Sequence, residues 1–416
     1  MKQHHNAPEP LQIICGCVLS VLPTLDEGSV HCCTTSPPYF GLRDYGIEPS
    51  DWPAVQYAPM AGLPAVDVEA WTGCLGHEPT ISAYVGHLVH VFRLVKRVMR
   101  DDGTLWCNLG DSFANDGKWG GSTGGKHVGA LHGNGSVGRL KRKTGLKAKD
   151  LIGIPWRVAL ALQADGWWLR SEIIWAKGLS FCDTYAGSVM PDSVRDRVTR
   201  SHEQVFMLTK KARYYFDAEA VKEKTTGNAH SRGNGLHPKV APAGSGIKQN
   251  ESFSVAITHP VSTRNLRSVW AINPEASSRK HYAGWPSRLV APMIKAGTSE
   301  RGVCGACLSP YERMVEKGEY DKTATQGQQA WPTGSGGNHN DSHGGFSRRD
   351  TKTTGWRATC DCPPADPVPA TVLDPFAGTG TTARVARRLG RHAAIVDRSG
   401  DYVEMAQESL AQHELF

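Results

Sequence analysis

Ten residues near the end of the chain constrain its fold most. The run Leu373-Asp374-Pro375-Phe376-Ala377-Gly378-Thr379-Gly380-Thr381-Thr382 follows an apolar stretch from Thr371. It opens a helical pattern through Leu389, then comes the apolar run Ala393 to Val396, and a last helix begins near Asp401. Strand, glycine turn, helix and strand in so short a span is a βαβ unit, which implies a parallel sheet. The fold class read from this is α/β.

The turn itself speaks about a ligand. Two glycines let backbone approach a bound molecule closely, and an acid at the end of the following strand can take a ribose diol. Asp397 stands 23 positions beyond Asp374. The third glycine of a dinucleotide site is missing, and Phe376 crowds the position a pyrophosphate would take. No lysine follows Gly380, so the turn is not a phosphate-binding P-loop. Gly120 to His127 comes near that pattern but has no preceding strand, and His127 replaces the hydroxyl residue that would hold magnesium.

Other elements can be placed by period. Apolar runs at Leu11 to Leu19 and Val30 to Thr35 read as strands, and residues 48–76 as an irregular insertion. Ile81, Tyr84, Val85, Leu88, Val91, Phe92, Val95, Val98 and Met99 follow the spacing of an amphipathic helix. Asp101-Asp102-Gly103 is expected to stop it, with Thr104 to Leu109 a buried strand. Pro155 suits the first turn of a helix through Ala164. Trp167 to Trp175 and Gln204 to Leu208 read as strands, and Tyr282 to Ala296 as a helix. No internal repeat is visible.

Thr35-Ser36-Pro37-Pro38-Tyr39-Phe40 follows the second strand. Consecutive prolines lock the backbone and remove two amide donors. They leave a rigid rim of carbonyl acceptors beside the Ser36 hydroxyl, with an aromatic face from Tyr39. Such a rim suits an exocyclic amine, which offers two N–H donors, on a planar base that can stack.

Together the two motifs resemble the permuted, β-class DNA amino-methyltransferases, in which a Ser/Asp-Pro-Pro-Tyr motif precedes the loop that binds S-adenosylmethionine. Further stretches carry the likeness: Ile154-Pro155-Trp156-Arg157, Ile174-Trp175-Ala176-Lys177, Arg197 to Glu203, Tyr214 to Asp217 and His281 to Gly297. The resemblance implies a Rossmann-like class I methyltransferase fold. Its sheet is expected to be mostly parallel and seven-stranded, with helices on both faces, in circularly permuted order. It implies catalytic roles for Ser36, Pro37, Pro38 and Tyr39. It implies cofactor contacts from Asp374, Phe376, Gly378, Gly380, Thr381 and Asp397, and from His281 and Trp285 around the methionine end. Ser-Pro-Pro-Tyr members mostly methylate the cytosine amine (N4) and Asp-Pro-Pro-Tyr members mostly the adenine amine (N6). N4-cytosine is the expected target, N6-adenine the alternative, and a catalytically inactive DNA-binding protein on the same fold a third reading. Methylation of cytosine carbon needs a nucleophilic cysteine, typically after proline, and no Pro-Cys dipeptide occurs.

The chain has 11 cysteines. Cys304-x2-Cys307 and Cys360-x-Cys362 supply four thiolates, a set that suits structural Zn²⁺. The 52 intervening residues are a long spacing. Free buried thiols and a redox pair are the other readings, and similar members of the family carry such cysteine pairs before the cofactor loop.

Lys plus Arg is 47 against 40 Asp plus Glu, so the net charge is +7. Double-stranded DNA is the expected partner. Residues 115–149 are glycine-rich and basic, and Lys141, Arg142 and Lys143 there are expected to meet phosphates, with Arg197 and Arg200. Glycine is 45 of 416 residues, about 11%, concentrated in 115–149, 226–246 and 333–345.

The expected organisation is a catalytic half (1–177), a target-recognition region (178–275), a helix completing the cofactor pocket (276–303), a cysteine-pair insert (304–362) and a cofactor-binding half (363–416). The first ten residues hold no apolar run and no stretch is long and apolar enough to span a bilayer, so a reducing, cytoplasmic setting is expected. A cognate restriction endonuclease is an expected companion, and the chain is expected to act as a monomer or homodimer.

Overall fold

The computed structural model describes residues 11–41, 46–114, 144–189, 192, 194–224, 263–275, 285–317 and 351–412. Eight strands form its main sheet: β1 (Leu11–Cys15), β2 (Val30–Thr35), β3 (Met99–Leu109), β4 (Trp168–Ala176), β5 (His202–Thr209), β6 (Val269–Ala271), β7 (Thr371–Asp374) and β8 (His392–Asp397). Their order is β1-β8-β7-β2-β3-β5-β4-β6. β5 alone runs against its neighbours, pairing antiparallel with β3 and β4, and every other pairing is parallel. The sheet is therefore mostly parallel. It has one strand more than the expected seven, because Val269–Ala271 adds beside Ile174–Ala176.

Among the described residues six helices accompany it: α1 (Val18–Val21), α2 (Ile81–Val98), α3 (Ile154–Ala164), α4 (Ser287–Gly297), α5 (Thr381–Arg388) and α6 (Gly400–Gln412). Both faces of the sheet are covered, and β2 shows it within two residues. Cys33 packs into the core shared with α2 and α3. Its neighbour Cys32 turns to α4, with Sγ 3.9 Å from the Met293 carbonyl. Alternate side chains of a strand point to opposite faces, so α4 lies across the sheet from α2.

Local chemistry explains the elements and two departures. Thr80 caps α2, its hydroxyl accepting from the Ala83 amide at 3.0 Å, and the apolar stripe beneath is buried. Gly103 does not stop the helix. The chain turns extended at Met99 and enters β3 directly. Gly103 sits within β3 where a Cβ would come 2.9 Å from the His31 carbonyl, so its smallness serves strand packing. Residues 48–76 are more ordered than expected. Ser50–Trp52 pairs with Trp71–Gly73, and Val55–Tyr57 with Val66–Val68, both antiparallel. Trp52, Val55, Tyr57 and Val68 join the α2 core, burial that a period reading of three-residue strands cannot see.

The described chain packs into two compact units. One takes residues from 1–220, 267–311 and 358–416, and the other from 221–266 and 312–357. The smaller unit carries two ribbons: Glu223–Lys224 with Thr263–Arg264, and a pair formed by Tyr311–Lys317 and Thr351–Ala358.

Candidate functional site

Strand order reverses between β7 and β2, since β8 lies outward of one and β3 outward of the other. A crevice forms at the carboxyl ends of strands at such a switch point. There the structure has a cleft of about 1100 Å³, open mouth included. Ser36 and Pro38 line it from the β2 side, Phe376, Gly378 and Thr381 from the β7 side, and Asp397 from the end of β8. The segment 47–52 and Trp285, ahead of α4, complete its walls.

The glycine turn forms one wall of the cleft. Gly378 and Gly380 both adopt left-handed φ, +52° and +75°. The Asp397 carboxylate accepts from the Gly378 amide at 2.8 Å and the Ser399 amide at 2.9 Å. Burial raises the Asp397 carboxyl, against the pull of the Ser399, Gly378 and Arg398 amides. Gly380 does not line the cleft. A Cβ there would meet the Ala406 Cβ at 2.8 Å, so this glycine allows α6 to approach the turn.

Asp374 is likewise turned into the protein. Its carboxylate accepts from the Thr35 hydroxyl at 2.7 Å, the Thr382 hydroxyl at 2.6 Å and the Phe376 amide at 3.1 Å. Burial raises its pKa to about 6, despite those donors. It ties β2 to the turn and does not reach the cleft wall.

The Ser36-to-Tyr39 loop is held by side chains from three other elements. Tyr39 donates its hydroxyl proton to Glu203 Oε2 at 2.7 Å. The Asn108 amide donates to the Tyr39 hydroxyl at 2.7 Å, to Glu203 Oε2 at 2.9 Å and to Ser36 Oγ at 3.3 Å. Ser36 Oγ is also 3.3 Å from the Tyr39 hydroxyl. Lys177, just past β4, forms an ion pair with Glu203 Oε1 at 2.5 Å. Burial disfavours the Glu203 carboxylate, but the Lys177 ammonium and the hydrogen bonds outweigh it and hold the carboxyl below its ordinary value. Burial foremost, then the Glu203 charge, push the Tyr39 hydroxyl well above its ordinary range. Gly110 makes room for the Tyr39 ring, since a Cβ there would lie 2.4 Å from a ring carbon. Of the two proline carbonyls, that of Pro38 is taken by the Tyr84 hydroxyl at 2.8 Å.

Asn108, Glu203, Lys177 and Tyr84 have no assigned role in the sequence reading, although Lys177 and Glu203 fall in stretches that carry the family likeness. Glu203 pairs with Lys177 rather than with the arginines that precede it in sequence. Arg200 instead meets Gln204 Oε1 at 2.8 Å and Asp111 at 3.5 Å. Arg197 pairs with Asp192 at 2.9 Å and lies 3.9 Å over the Phe113 ring. Both arginines are partly buried in these internal contacts. His281, Lys141, Arg142 and Lys143 lie outside the described residues.

No cysteine nucleophile is prepared among the core thiols beside this loop. Burial pushes Cys32 up to about 12 and raises Cys33 and Cys107 as well.

Cys304, Cys307, Cys360 and Cys362 come together, with all four Sγ within 4.8 Å of one another. Zn–S bonds of about 2.3 Å set tetrahedral sulfurs about 3.8 Å apart, so the donor set fits. The knuckle is anchored to the sheet. The Thr371 amide donates to His31 Nδ1 at 3.0 Å, and His31 Nε2 reaches the Leu308 carbonyl at 3.0 Å. Arg100 donates to the Cys307 carbonyl at 2.9 Å. These anchors sit at the starts of β2, β3 and β7, the end of the sheet opposite the cleft.

A mostly parallel sheet with a glycine-turn cleft and the Ser36-to-Tyr39 loop at its switch point is the arrangement expected of a class I methyltransferase. A profile of the DNA methylase family (N6_N4_Mtase) matches residues 30–305 and 367–408. The Type II methyltransferase M.Cfr9I of Citrobacter freundii is 36% identical over 300 residues, 71% of this chain and 77% of that protein. The Type II methyltransferase M.SmaI of Serratia marcescens is 35% identical over 291 residues, 70% of this chain and 76% of that protein. Among solved structures, PvuII DNA methyltransferase (cytosine-N4-specific) aligns at 13% identity and a TM-score of 0.48, covering 97% of this chain and 89% of that one. The chain belongs to the DNA methylase family, whose members are S-adenosylmethionine-dependent DNA methyltransferases. Among its described residues no helix is long and apolar enough to cross a membrane.

Proposed function

We propose that this chain methylates the exocyclic N4 amine of cytosine within a specific double-stranded DNA sequence. The observation that carries the reading is Ser36, rather than an aspartate, heading the Pro-Pro-Tyr loop at the cleft wall. An amine inside a duplex cannot be reached in line, so the target base leaves the stack, at a cost of a few kcal/mol. Tyr39 receives it by stacking. Ser36 Oγ and the Pro37 carbonyl accept the two amine hydrogens, which aims the nitrogen lone pair into the cleft. With Pro38 occupied by Tyr84, Pro37 is the carbonyl assigned to the substrate. Catalysis is then positioning and electrostatics, without a covalent intermediate.

S-adenosylmethionine supplies an electrophilic methyl group when bound. Asp397 takes the ribose hydroxyls, and Gly378, Thr381, Phe376 and Trp285 enclose the donor. Asp374 and Gly380 support that site from behind. Lys141, Arg142 and Lys143, with Arg197 and Arg200, are assigned to the phosphate backbone, and residues 178–275 to sequence readout. The curated relatives are named Type II methyltransferases, which supports a place beside a restriction endonuclease of the same specificity. The four-cysteine knuckle holds a structural zinc ion, since four thiolates leave no open position for catalysis.

The test is expression in a methylation-free host, with single-molecule sequencing and mass spectrometry of hydrolysed DNA. N4-methylcytosine at one sequence motif is the expected product. N6-methyladenine would overturn the choice of base, and unmodified DNA the activity.

A further inference from the structure

Transfer of a methyl group to an aryl amine leaves one proton too many on the nitrogen. As the N–C bond forms, positive charge builds there, and a route for the proton lowers the barrier. Nothing in the prolyl rim can remove it, because a carbonyl and a hydroxyl are poor bases. Behind the rim, three oxygens stand in a row. Ser36 Oγ is 3.3 Å from the Tyr39 hydroxyl, which donates to Glu203 Oε2 at 2.7 Å. Glu203 is the one carboxylate in this row, and its side chain is 15% exposed.

We propose that Ser36, Tyr39 and Glu203 form a proton relay that drains the excess proton from the methylated amine to Glu203; this rests on Ser36 being the amine's acceptor. The nitrogen lone pair forms the N–C bond as the S–C bond of the donor breaks, its electrons staying on sulfur. The nitrogen releases a proton to Ser36 Oγ, the Ser36 hydroxyl proton passes to the Tyr39 oxygen, and the Tyr39 proton passes to Glu203 Oε2. Glu203 ends neutral and returns the proton to solvent after the base leaves.

The surroundings suit this work. An N-protonated aryl amine is a strong acid, so a weak base suffices, provided it stays ionised. Lys177 keeps Glu203 ionised. Asn108 donates to Ser36, Tyr39 and Glu203 alike and so fixes the row without being able to accept its proton at that nitrogen. The charged groups around Glu203 are Lys177 after β4 and, on its own strand and nearby, His202, Arg200 and Asp111. None of these stands between Tyr39 and Glu203.

The test uses the full chain with cognate DNA in single turnover. Glu203→Gln keeps shape and an acceptor for Tyr39 but removes the base. Tyr39→Phe keeps the stacking ring but cuts the row. Each is expected to slow methyl transfer by about 100-fold or more, and the double variant to be no slower than either single one. Dissociation constants for donor and DNA, measured by calorimetry, are expected to stay unchanged in both. Lys177→Met keeps the relay but raises the Glu203 pKa, so the acidic limb of the rate profile should move up by about 1 to 3 pH units. Wild-type rates in Glu203→Gln, or multiplying effects in the double variant, would overturn the relay. An unshifted limb in Lys177→Met would do the same. Ser36→Ala separates this from the parent reading: if it is active, the amine acceptor is wrong. If it is inactive while Glu203→Gln is not, only the relay fails.

Discussion

The Thr35 hydroxyl donates to the Asp374 carboxylate across 2.7 Å, joining residues 339 positions apart. This bond closes the switch point, because Thr35 ends the strand that leads into the Ser36-to-Tyr39 loop and Asp374 ends the strand that leads into the glycine turn.

Asp374 should make stability depend on pH in an unusual direction. Its pKa in the folded protein is about 6, against an ordinary 3.8. Between those values the folded chain holds a proton that the unfolded chain has lost, so stability present below about pH 4 is lost as pH rises through about 6. The size is on the order of 3 kcal/mol. Urea midpoints measured across this range should fall with pH in the parent relative to Asp374→Asn. Parallel curves for the two proteins would refute the assignment.

The two glycines of the turn should separate into different phenotypes. Gly380→Ala meets both a left-handed φ and the Ala406 Cβ at 2.8 Å. It should cost about 2 kcal/mol or more in thermal unfolding. Gly378→Ala meets open space at φ +52°, so its cost is nearer 1 kcal/mol. Because Gly378 lines the cleft and donates to Asp397, its alanine variant should weaken donor binding more than Gly380→Ala does, as calorimetry would show.

These contrasts show what was legible in the sequence. The βαβ unit, the parallel sheet and the position of Gly378 and Asp397 follow from local pattern, because glycine turns and strand periods are local. The inward turn of Asp374 was not legible, since it depends on Thr35 and Thr382 arriving from two other elements. Glu203 and Lys177 lie 26 positions apart, and only the antiparallel pairing of β4 with β5 brings them together. The ribbons of residues 50–73 escaped because their strands are three residues long and take their stability from α2.

Tyr84 should act on catalysis without touching substrate. It is fully buried, and its hydroxyl holds the Pro38 carbonyl. Tyr84→Phe leaves that carbonyl unpaired, a loss of about 1 kcal/mol or more, and loosens the loop that presents Ser36 and Tyr39. Methyl transfer should slow several-fold while the donor dissociation constant holds. An equal loss in donor affinity would point instead to collapse of the cleft.

The cysteine knuckle should govern stability and leave the cleft's chemistry alone, because its anchors sit at the opposite end of the sheet. His31 bridges it to β7. With Nδ1 accepting from the Thr371 amide, Nε2 carries the proton and donates to the Leu308 carbonyl. Burial, then the Arg100 charge, lower the His31 pKa to about 4, so it stays neutral in this bridge. Metal analysis should find one zinc ion per chain, and chelation should lower the melting temperature by several degrees. His31→Phe should destabilise by about 1 to 3 kcal/mol, because both the Thr371 amide and the Leu308 carbonyl lose a buried partner. Donor affinity should change little in either case. Protein free of zinc, with a melting temperature indifferent to chelator, would remove the metal from this account and leave the four thiols as packing residues.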